Sequence, residues 1–148
     1  MIKSKWLNPA LIVSPVYYTL CTNEKDFYRI MKNLDMPISE QPEFMIYGSG
    51  ATTHSFQTEG KPIAIVCINP DNGQDNAALC AILAHEAVHV FQYILECMGE
   101  KNPSVEFEAW SIQMLTQQLI AEYERQVKEM KDANKDRAKS VRKGAARL

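Results

Sequence analysis

The stretch from Asn76 to Met98 restricts the possible folds more than any other part of the chain. On a 3.6-residue period, Leu79, Ile82, Leu83, Val90, Ile94 and Cys97 form one broad apolar face. Ala84, Val88, Phe91, Leu95 and Met98 cover the opposite one. A helix that is apolar on nearly every side belongs between other elements. What remains is a narrow polar stripe of His85, His89, Gln92 and Glu96, with Glu86 at its border. The pattern predicts that this stripe lies inside the protein and needs partners there. Asp71, Asn72 or Asp75 is expected to cap the start of the helix, and Gly99 its end.

The stripe contains His-Glu-x-x-His at positions 85–89, which holds two of the 3 histidines of the chain. Helix side chains four positions apart lie one turn above another on the same face. Two imidazoles so placed can reach one divalent ion, and zinc takes nitrogen ligands at about 2.0–2.1 Å. A glutamate directly after the first histidine suits the base that deprotonates a metal-bound water. Its border position desolvates it in part, a condition that favours a general base. The plainer reading is a pair of helix histidines satisfied by hydrogen bonds, with Glu86 as a helix former. A catalytic zinc site commonly adds a third protein ligand and keeps one position for water. No Cys or His follows closely, but Glu106 and Glu108 do, behind Pro103 and the natural cap Ser104. Both also have an ordinary reading, as acids favoured in the first turn of a helix.

His-Glu-x-x-His followed, after a short loop, by a second helix carrying Glu106-Phe107-Glu108-Ala109 resembles the minimal gluzincin metallopeptidases. It is also similar to small His-Glu-x-x-His proteins encoded in phages and prophages. The likeness is specific over about residues 76–120. It implies a zincin-like fold and a zinc-dependent endopeptidase acting on a peptide or protein substrate. In that register His85, His89 and Glu106 hold Zn2+, and Glu86 is the catalytic base. Glu86 would take a proton from the attacking water and pass it to the leaving amine. Helix geometry alone lies slightly nearer Glu108, which stays as the alternative ligand. Trp110 stands where the family has the Asp or Asn that orients a ligand histidine, so that role is unfilled or moved. The family also pairs extended substrate with an edge strand beside the cleft, and residues 51–58 are the candidate strand. Tyr93, Tyr123 and His54 are the candidate donors to a developing oxyanion.

The rest of the chain supports one domain over residues 1–130 and a basic tail over 131–148. Residues 10–21 read as a strand that begins at Pro15 or lies at an edge. Asn23 caps a helix over 24–34, with Phe27, Ile30, Met31 and Leu34 inward. Strand candidates follow at 44–47 and 51–58, then a turn at Glu59-Gly60-Lys61 and a continuous apolar strand over 62–69. A second long helix runs from Ser104 to about Met130. The order predicts an α+β fold: a small antiparallel or mixed sheet with one short helix, then two long helices.

Residues 131–148 carry 7 basic and 2 acidic side chains and no apolar stripe, so they are expected to fray. They are also the one place suited to a nucleic acid, since a net charge of -2 argues for neither a nucleic-acid nor a membrane partner. No unbroken apolar run approaches the roughly 20 residues of a membrane span. Lys3 and Lys5 before residues 10–13 resemble a signal peptide, but Pro9 and Pro15 break the run, so a cytoplasmic protein is expected. The 4 cysteines, Cys21, Cys67, Cys80 and Cys97, read as reduced, buried thiols. The rival functional reading is a non-catalytic zinc-binding regulatory or interaction module on the same fold. The fourth zinc position, open or filled by protein, separates the two.

Overall fold

The computed structural model describes residues 3–7, 14–70 and 75–145, with side chains as far as residue 138. In chain order these form β1 (Trp6–Leu7), β2 (Tyr17–Cys21), α1 (Glu24–Asn33), β3 (Ala51–Thr58), β4 (Lys61–Ile68), α2 (Asn76–Met98) and α3 (Val105–Ala145). A single 3-10 turn, Ile38–Glu40, follows α1. The fold is α+β, and the four strands form one sheet in the order β1-β2-β4-β3. β2 runs parallel to β4, while β1 and β3 run antiparallel to their neighbours, so the sheet is mixed and β3 is an edge.

β4 is the seam between two apolar layers. Successive strand side chains point to opposite faces. Ile63, Ile65 and Cys67 pack with Phe27, Ile30 and Met31 of α1. Ala64, Val66 and Ile68 pack with Leu83, Ala87 and Val90 of α2 and with Leu115 and Leu119 of α3. A strand covered on both faces has no polar face, which is why its sequence is an unbroken apolar run.

The bounds of α2 follow from its caps. The Asp75 carboxylate accepts from the Ala78 N–H at 2.8 Å. Gly99 adopts the left-handed conformation at φ 69°. The Glu100 N–H then donates to the Leu95 carbonyl and the Gly99 N–H to that of Glu96, at 3.0 and 3.1 Å. That pair of bonds closes the exposed helix end. The Phe91 ring meets Phe107 edge-on at 5.9 Å and ties α2 to α3. α2 is also long and apolar enough, by length and composition, to cross a membrane. Counting unbroken runs misses this because His85, Glu86 and His89 interrupt the sequence.

Three expectations are corrected. Residues 44–47 make no strand; they bend beside β3, held through side chains. Thr52 Oγ1 accepts from the Ile46 N–H at 3.1 Å, and the Phe44 carbonyl lies 3.2 Å from His54 Nε2. The strand expected over 10–21 is the shorter β2, and residues 8–13 lie outside the described residues. α3 does not end at Met130 but continues to Ala145, past the start of the expected tail. Residues 131–138 are all exposed. Strong helix formers such as Ala, Lys and Arg extend the helix there without burial.

Candidate functional site

A cleft of about 410 Å³ lies between the edge strand β3 and α2. Its wall on one side carries Thr53 and Ser55; on the other are His85, Glu86, His89 and Gln92. Thr53 and Ser55 are two positions apart and so share a face of the strand. His54 between them points the other way. Its ring packs 5.2 Å from that of Phe27, in the α1 layer. Burial there lowers its pKa against the opposing pull of the Phe44 carbonyl.

The two motif histidines converge. Their Nε2 atoms are 3.0 Å apart, with the rings edge to face at 81°. Two nitrogens that share one tetrahedral ion at zinc distances are about 3.3 Å apart. The pair therefore stands close to a chelating separation. Gln92 Oε1 lies 3.3 Å from His89 Nδ1. An amide oxygen only accepts, so Nδ1 donates to it and the Nε2 of His89 presents its lone pair. The 3.0 Å contact with His85 Nε2 is a hydrogen bond in which one ring nitrogen donates to the other.

The stripe is not interior. His85, His89, Gln92 and Glu96 are all exposed. They line the cleft beside β3 rather than the core, and His89 is paired there with His85 and Gln92. Exposed Ala77, Ala78 and Ala81 let α2 be apolar all round without full burial. Glu86, at the border of the stripe, is 4% exposed, and its Oε2 accepts from Thr53 Oγ1 at 2.6 Å.

The carboxylates of α3 are elsewhere. Glu106 and Glu108 are exposed in its first turn, and neither lines the cleft. Ser104 Oγ accepts from the Phe107 N–H at 3.3 Å, the ordinary capping arrangement for such a turn. Among the described residues no three His, Cys, Asp or Glu side chains gather as a metal-binding group. The donor set thus fits zinc in part: two imidazoles in place, the third ligand outside. Of the candidate oxyanion donors, Tyr93 lines the cleft. Burial first, and then neighbouring Cys97, push its phenol up to about 12, so it keeps its proton as a donor. Tyr123 lines a different groove, between α3 and the start of α2.

No family model, characterised protein or solved structure matches the chain. Sequence reasoning missed two cleft contacts, Thr53 to Glu86 and Gln92 to His89. Gln92 was visible as a stripe residue one turn from His89. Thr53 had no such signal, because its partner lies 33 positions away.

Proposed function

We propose that the protein is a zinc-dependent peptidase of gluzincin type on a zincin-like fold. One observation carries the reading: two Nε2 atoms 3.0 Å apart share a cleft with a buried glutamate and an edge strand. His85 and His89 would hold the ion. The third ligand is Glu106 by the family register, with Glu108 the alternative. When bound, zinc supplies a Lewis acid that polarises the scissile carbonyl and acidifies water. Glu86 accepts the proton of the attacking water and delivers it to the leaving amine. Tyr93 donates its O–H toward the developing oxyanion. The open edge of β3 receives extended peptide backbone.

That Glu106 lies outside the cleft lining supports keeping a second reading, a zinc-binding module without catalysis. The Glu86→Gln variant separates the two. For a peptidase it keeps the zinc content of the wild type, and hydrolysis of fluorescein-labelled casein falls by about 10²–10⁴-fold. Equal hydrolysis by the variant rejects Glu86 as base. A wild-type protein that binds zinc and cleaves no member of a broad peptide library supports the module.

A further inference from the structure

We infer that Thr53 is the positioning residue for the Glu86 carboxylate, an inference that rests on the peptidase reading of this cleft. A carboxylate at 4% exposure requires hydrogen-bond donors. Among the described residues the side chain that supplies one is Thr53, at 2.6 Å. That lies in the roughly 2.5–2.7 Å range of hydroxyl bonds to charged oxygen.

Thr53 is well fixed for this task. It pairs across the sheet with Val66 of β4, which is fully buried. Its β-branched side chain has little freedom at χ1. Glu86 has three rotatable side-chain bonds and a two-fold head. Fastening Oε2 to the strand removes most of that freedom. Glu86 lines the cleft, and Oε1 is the oxygen left for the proton to be taken there. The bond from Thr53 also holds the base on the β3 side of the cleft, at a set distance from the strand edge along which a peptide would lie. The contact therefore joins the substrate platform to the base, across 33 residues of chain.

A donor that merely satisfied a buried charge would hold the fold without setting the rate. Thr53→Val keeps the shape and removes the hydroxyl; Thr53→Ser keeps the hydroxyl and removes the methyl. In zinc-loaded protein, the valine variant is expected to lose about 10–100-fold in kcat, with KM and zinc content unchanged. The serine variant is expected to stay within about threefold of wild type. Crystal structures of both give a readout independent of turnover: the Glu86 carboxylate turns away from β3 in the valine variant and stays in the serine variant. Should valine not fold, Thr53→Ala carries the same comparison. An unchanged carboxylate orientation, or an unchanged kcat, in the hydroxyl-free variant overturns the inference. A wild-type protein that hydrolyses nothing refutes the peptidase reading instead, and the crystal structures still decide the positioning.

Discussion

Glu122 and Gln126 are 5% and 0% exposed on α3, and both are fully engaged. Gln126 Nε2 donates to the Leu20 carbonyl and to Glu122 Oε1, each at 2.8 Å, while its Oε1 accepts from Thr22 Oγ1 at 2.8 Å. Arg125 donates to both oxygens of Glu122. Burial alone would raise the pKa of Glu122, but the bonds from Arg125, Gln126 and the Lys5 N–H outweigh it and lower the pKa. A carboxyl whose folded pKa lies below its unfolded value of about 4.3 stabilises fully above that value. The contribution is lost as pH falls through the folded pKa. Thermal melts of the wild type should therefore drop more steeply below about pH 5 than those of Glu122→Gln. At pH 7 the variant should be weaker by about 1–3 kcal/mol, from disrupted partners. Parallel melting curves against pH would show that Glu122 makes no such contribution. Gln92 allows a test nearer the cleft. Gln92→Leu removes the acceptor for His89 Nδ1, so zinc affinity measured against a chelating dye should fall about 10–100-fold.

Among the elements, α2 shows why some boundaries are readable in sequence and others are not. Its end depends on Gly99 at φ 69°, where an added Cβ would meet nothing within 4 Å. The cost of Gly99→Ala is then conformational alone, about 1 kcal/mol. It should appear as a fall of about 2–4 °C in Tm, with no change in zinc affinity. Gly99 was legible, and Asp75 as one of three candidate caps, because capping is local chemistry. β4 was legible because a strand buried on both faces has a composition of its own. Residues 44–47 were not, since Phe-Met-Ile-Tyr favours a strand anywhere. Only the contacts of Ile46 and Phe44 with β3 decide otherwise. The continuation of α3 was missed for the opposite reason: the lost apolar stripe was read as a lost helix, although intrinsic propensity persists. The motif histidines and Glu86 were legible from spacing within one helix. Cleft membership of Glu106 or Glu108 depends on how α3 crosses α2, which spacing does not encode.

At the scale of the whole molecule, the two apolar layers close on either side of the sheet without His85, Glu86 or His89. The histidines are exposed on the surface of a helix already fixed by the core. On the proposed reading, folding therefore does not wait on an ion, and zinc would act as a ligand of the native state. A ligand at about 100 times its Kd adds about 2.7 kcal/mol to stability. For a chain of this size that is a rise of about 5–10 °C in Tm, reversed by a chelator. His85→Ala and His89→Ala should each abolish the rise while leaving the metal-free Tm nearly unchanged, because neither side chain is buried. The same melts locate the third ligand. If α3 donates it through the family register, Glu106→Ala shrinks the rise and Glu108→Ala leaves it intact. The reverse pattern assigns the role to Glu108. A full rise in both single variants and in the double variant would place the third ligand outside α3, and with it the resemblance that selected Glu106 would fail.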